Sequence, residues 1–366
     1  MLQNRWYNSF TANLHLHRKL FQIRNPVNPL VRSSEELWGL LDCIPPLSLT
    51  FRSPAERFSA EYISLVSQFQ YPDSGGLRES IGEANHEKWL KYLERIHPPP
   101  PESQLPALFR RWAFLSAPSI ASAGASKLSQ LLILNRAPQN LRAYQGPQRK
   151  TIDFSPELVQ AKDIVEHSSG FRFAFESPSS PENVDDTWTG GIDYGPDGLW
   201  SDATGDLSLN RRFSLNPVTV NLSAKSYAVC TVVPGPWYSS SLLDAAFMNQ
   251  GRPPWPQNPN PTWNERFGPS GSLRRVIISI VLADGVKATL SSAASFSEDD
   301  RRSIKTNASK GVWPLYIPDY AGSASNEVTF GVSNVMNIET VTQPGTLVVL
   351  GNNVMEIGYY LAHTVP

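Results

Sequence analysis

Two β-branched apolar runs, residues 227–233 and 276–282, stand out from the mixed polar background of the chain. Val and Ile have stiff χ1 angles that suit a pleated, buried surface, so both runs predict central strands. Between them lie a short helical pattern and a loop, residues 234–272, crowded with Pro and Trp. Phe171, Phe173 and Phe175 alternate with Arg172 and Ala174, the period of a strand with one buried face. Residues 217–222 (PVTVNL) read as another strand, with Pro217 first, where a missing N–H is tolerated. Asp284-Gly285 ahead of residues 286–290 predicts a hairpin, because both turn residues must accept positive φ. Residues 327–332, 335–342 and 346–350 complete the set of strands. Within it, Ser297 followed by Glu298, Asp299 and Asp300 predicts a helix start, with carboxylates facing the positive end of the dipole. That helix is expected to continue through Ile304 to Ala308.

The first half has a different period. Residues 1–32 read as irregular or partly extended, with Leu14-His15-Leu16-His17 alternating so that a short strand would set both histidines on one face. From Ser33 to Ala117 the pattern is helical. Ser34, Glu36 and the apolar segment 37–41 suit one short helix. Ser53-Pro54-Ala55-Glu56 has the N-cap, first-turn Pro and acid of a second. Phe58, Tyr62, Leu65, Val66 and Phe69 form its stripe; Trp89, Leu93 and Ile96 form a third. Leu108, Trp112 and Leu115 predict a fourth helix, after a proline run, residues 98–101, that reads as a stiff spacer. Residues 127–134 are apolar but fit helix and strand equally. Residues 137–150 are polar and rich in breakers, which places a domain boundary near residue 145. The expected architecture is α+β: a mainly helical region, 1–145, packed with a β-rich, sandwich-like domain, 146–366.

A formal net charge of −1 removes the general electrostatic argument for nucleic acid as a partner. Arg211-Arg212, Arg274-Arg275 and Arg301-Arg302 are the local basic candidates, and solvated surface is the plainer reading of each. Two cysteines, Cys43 and Cys230, argue against a disulfide-stapled domain. The opening residues have no apolar core of a leader peptide, and no run reaches the roughly 18 apolar residues of a membrane span. These features lead us to expect a soluble, cytoplasmic chain.

Candidate chemistry falls in two places. Asp185, Asp186, Asp193, Asp197, Asp202 and Asp206 lie among glycines, a composition able to offer calcium its hard oxygen ligands. The EF-hand spacing is absent, and Asp-Gly segments also make ordinary turns, so calcium is one reading and a plain loop the other; no further cofactor is implied. Trp237, Tyr238, Trp255 and Trp263, stiffened by neighbouring prolines, can present rigid faces to a small molecule, a carbohydrate or a protein. The competing reading makes them a small core closing over the sheet. Gly268-Pro269-Ser270-Gly271 is a turn and not a nucleophile elbow. His86, His97, His167 and His363 are scattered, and Glu166 beside His167 lacks a third partner. Glu176, Asp193, Glu265 and Asp319 are conceivable glycosidase carboxylates with no readable separation. The expectation is a non-catalytic recognition or assembly protein using the aromatic loop. The alternatives are an enzyme with carboxylates between domains and a soluble membrane-perturbing toxin.

Overall fold

Leu2, Trp6 and Phe10 recur every four residues, and this spacing folds into α1 (Leu2–Asn13) with all three side chains buried. The expected irregular start is therefore a helix. Leu14 extends its stripe, and His15, at φ 53°, ends it in a left-handed turn from which Leu16 N–H returns to the Thr11 carbonyl at 2.9 Å. His15 and His17 thus sit in a turn and not on one strand face.

The computed structural model describes residues 2–24, 29–51, 56–69, 75–145, 149–190, 198–200, 207–331 and 335–362. After α1 come β1 (Phe21–Ile23), β2 (Leu30–Val31), α2 (Ser34–Leu41), α3 (Phe58–Gln68) and α4 (Gly75–Ile81). Next are α5 (Glu83–Leu93), α6 (Leu105–Ser116), α7 (Ala121–Arg142), β3 (Phe154–Ser155), α8 (Leu158–Glu166) and β4 (Phe171–Glu176). Then follow α9 (Leu207–Leu215), β5 (Val218–Ala224), β6 (Ser226–Thr231), β7 (Val233–Pro234), α10 (Ser240–Met248) and α11 (Trp263–Phe267). The chain finishes with β8 (Arg275–Asp284), β9 (Lys287–Ser292), α12 (Glu298–Asn307), β10 (Ala324–Phe330), β11 (Met336–Thr342), β12 (Leu347–Glu356) and α13 (Ile357–Tyr360). The class is α+β, with antiparallel sheets built mostly from the second half.

Contacts gather the chain into two interleaved units. The first comprises Met1–Phe58, Asp153–Val233 and Arg275–Glu356; the second comprises Ser59–Ile152, Pro234–Arg274 and Ile357–Pro366. The chain crosses between them at 58/59, 152/153, 233/234, 274/275 and 356/357.

The first unit holds two five-stranded antiparallel sheets, ordered β1-β12-β8-β6, with β2 also on β12, and β10-β11-β9-β5-β4. β5 and β6, β8 and β9, and β11 and β12 are consecutive in the chain but belong to opposite sheets. β5 pairs with β9 while β6 pairs with β8; β11 pairs with β9 while β12 pairs with β8. Three segments therefore pass side by side from one sheet into the other, the corner device of packed sheets. Lys225 N–H donates to the Asp284 carbonyl at 2.9 Å, Val286 N–H to Thr342 Oγ1 at 2.8 Å, and Gly345 N–H to Asp284 Oδ1 at 2.6 Å. Asp284-Gly285 is thus a corner, not the expected hairpin. Gly285 meets the same demand for positive φ, at 60°, and a Cβ there would lie 2.9 Å from that of Lys225.

Both inner faces share one core, with Val218, Val220 and Leu222 from one sheet and Val281, Val348 and Leu350 from the other. α1 closes it: the Trp6 ring lies 5.4 Å from Phe175, 5.9 Å from Phe173 and 5.5 Å from Trp313, whose indole N–H donates to Gln3 Oε1 at 2.9 Å. The predicted helix start at Ser297 is a capping box completed by Asp300.

In the second unit, α4 to α7 surround Leu77, Ile81, Trp89, Phe109, Trp112 and Leu128. Residues 127–134 belong to α7, and Gly124 lets that helix approach α6 so closely that a Cβ would fall 2.2 Å from the Phe109 ring. α6 buries Phe109, Trp112 and Ala113 and leaves Leu115 exposed, so its core face is rotated from the one expected. The Ser53-Pro54-Ala55 cap lies outside the described residues.

Candidate functional site

The aromatic loop residues are engaged by neighbours in their own unit. Trp237 is fully buried, 5.7 Å edge-on from Tyr62 and 5.9 Å from Tyr238. Tyr238 is half-buried, and burial holds its phenol well above the ordinary range, with Tyr360 adding to the rise. Trp255 is buried against Phe69 and Phe267, and its indole N–H donates to the Ala246 carbonyl at 2.9 Å. Trp263 is half-buried between Phe247 and Phe267 and donates to the Phe247 carbonyl at 2.9 Å. The Trp255 and Trp263 indoles have thus found the hydrogen-bond partners that such groups need, on the end of α10. These rings pack edge-on or tilted against other rings of the protein.

Of the six aspartates, Asp193, Asp197, Asp202 and Asp206 lie outside the described residues. Asp186 is paired with Arg18 at 2.7 Å, and Asp185 N–H donates to Asn183 Oδ1 at 2.7 Å. Among the described residues no group of three His, Cys, Asp or Glu is placed to hold a metal ion. Glu265 is a helix cap, accepting from Thr262 N–H at 2.7 Å and Thr262 Oγ1 at 2.8 Å, and these bonds hold its carboxyl below the usual range. His167 caps the exposed end of α8 ahead of β4, with its Nδ1 2.8 Å from the Asp163 carbonyl. Asp319 accepts from Asn326 at 2.7 Å, Glu176 is exposed at the end of β4, and His363 lies outside the described residues. Cys43 and Cys230 are both free, and burial pushes the Cys230 thiol up to about 11. The three Arg pairs form no basic stripe: Arg212 bonds Asp300, Arg275 donates to the Pro45 carbonyl and Arg301 to the Phe296 carbonyl.

A site that the sequence reading passed over lies between α5 and α6. A groove of about 450 Å³ is lined by Lys88, Lys91, Tyr92 and Arg95 on one side and Arg111, Trp112, Leu115 and Ser116 on the other. Lys88, Lys91 and Arg95 are spaced i, i+3, i+7, which puts all three on one stripe of the helix and its final turn. None of the four cations forms an ion pair among the described residues, and no acid lines the groove. Glu83, Glu87 and Glu94 fall on the adjacent stripe. The floor is rigid: Tyr92 stacks on Trp89 at 5.7 Å and meets Trp112 at 6.3 Å, while Trp112 lies 5.3 Å from Phe109. With four cations and no carboxylate in its lining, the groove can hold negative charge through charge-assisted hydrogen bonds.

The signal was present in the sequence as Lys-x-x-Lys-x-x-x-Arg. Glu83 and Glu87 before it and Glu94 within it cancel its linear charge, and only helical phase separates the two. A second groove, of about 420 Å³ beside Leu2 and Pro217, is electrostatically spent, because its Arg5 already bonds Glu182 at 3.0 Å and the Ser177 carbonyl at 2.7 Å. Among the described residues no helix is long and apolar enough to cross a membrane. No protein-family model, curated protein or solved structure matches the chain.

Proposed function

We propose that this protein is a non-catalytic recognition protein that holds a multiply charged anion in the α5–α6 groove. The observation that carries this reading is the convergence of Lys88, Lys91, Arg95 and Arg111 on one rigid, acid-free surface. Like charges held close together without partners repel one another, and an anion relieves that repulsion while gaining charge-assisted hydrogen bonds. The burial of Trp237 and Trp255 among rings of their own unit favours the groove over the aromatic loop in this reading.

Calorimetric titration with inorganic triphosphate tests the reading. Saturable binding that weakens as salt is raised is the expected result, since exposed charges are screened beyond about 10 Å at 0.1 M ionic strength. Absence of binding at low salt refutes it.

A further inference from the structure

Beside this groove, α6 carries side chains that an anion alone does not explain. Leu115, which lines the groove, is 81% exposed, and Phe114, on the same helix, is 71% exposed. At 100° per residue, Arg110, Arg111, Phe114 and Leu115 share the outward face of α6, opposite the buried Phe109 and Ala113. An outward helix face that pairs arginines with a large aromatic and a large aliphatic side chain suits a boundary between water and lipid. There the apolar groups leave water and the cations meet phosphates.

We infer that the groove docks on an anionic phospholipid surface, with Phe114 and Leu115 entering the headgroup boundary while Lys88, Lys91, Arg95 and Arg111 take lipid phosphates. This rests on the reading of the groove as an anion site and names the source of the anion. Charge complementarity argues for the occupant: four cations face outward without an acid in the lining, so a surface of many phosphates satisfies them together. The apolar pair argues for lipid over a soluble anion, which would leave Phe114 and Leu115 in water. Neither feature suffices alone, because membrane attachment of this kind takes a basic and an apolar contribution acting together.

The test is co-sedimentation of the full chain with phosphatidylcholine vesicles, with and without phosphatidylserine, alongside titration with inorganic triphosphate. Two variants are compared: Phe114→Ser, and Lys91→Glu with Arg111→Glu. The substituted side chains are all exposed, and circular dichroism checks that each variant is folded. Wild type is expected to bind only the phosphatidylserine vesicles. The Phe114 variant, altered outside the groove lining, should lose about tenfold in partitioning while keeping its triphosphate affinity, and the Lys91/Arg111 variant should lose both. Triphosphate binding without vesicle binding overturns the lipid inference and leaves the anion site standing, as does equal binding to both vesicle types. Binding of an acidic peptide in place of vesicles overturns it likewise. Failure to bind triphosphate and vesicles alike overturns both readings.

Discussion

Arg266 has no exposed side-chain surface, yet it carries a full charge in the second unit. Glu61 answers it: Nη1 donates to Glu61 Oε2 at 2.5 Å and to the Glu61 carbonyl at 3.1 Å, Nη2 donates to Ser64 Oγ at 2.8 Å, and Ser272 donates to the same carboxylate at 2.6 Å. Removing one partner of such a pair leaves an uncompensated charge out of water. Glu61→Ala should therefore destabilise by about 3 kcal/mol in urea unfolding, the low end of the range for buried pairs because Glu61 keeps some solvent contact. Asp300 makes a pH-dependent contribution. Burial raises its pKa, but hydrogen bonds from Ser297 Oγ and N–H, both at 2.7 Å, and the charge of Arg212 outweigh that and hold it below the ordinary value. The folded state then binds fewer protons than the unfolded one. This stability is fully present above the unfolded pKa of about 3.9 and is lost as pH falls through the folded pKa. Asp300→Asn should flatten the acid limb of a urea-midpoint profile below about pH 4; an unchanged slope would show that Asp300 is not the group responsible.

At the scale of elements, what was legible depended on whether the deciding contacts were local. The Phe171–Phe173–Phe175 alternation, the Tyr62–Leu65–Val66 stripe and the acids after Ser297 act within a few residues, and each element stands where they predict. α1 was hidden because Leu14-His15-Leu16-His17 imitates a strand just beyond it, although Leu2, Trp6 and Phe10 already had helical spacing. Asp284-Gly285 misled for a deeper reason. A hairpin and a sheet-to-sheet corner both demand positive φ, and only the partners of β8 and β9, far away in the chain, distinguish them. Gly285→Ala adds a Cβ to a left-handed residue hard against Lys225, so it should cost about 1–3 kcal/mol by thermal or urea unfolding. A neutral result would mean that the corner is not held as described.

For the whole molecule, the interleaving of the two units has the same origin. β1 pairs with β12 through Phe21↔Asn353, a contact that no local pattern announces. The net charge of −1 was an equally poor guide, because it averages away a groove in which four cations stand together. The aromatic loop drew attention by its composition, and it buries Trp237 and Trp255 while leaving Tyr238 and Trp263 half-buried, whereas the groove residues were unremarkable until two helices brought them together. The proposed anion site is tested by the triphosphate affinity of Lys91→Glu/Arg111→Glu beside that of Arg211→Glu, an exposed charge reversal outside the groove. A site made by the groove cations gives at least a tenfold loss in the first and wild-type affinity, within about twofold, in the second. Equal losses in both would show that triphosphate senses only overall charge, and would contradict a defined site between α5 and α6.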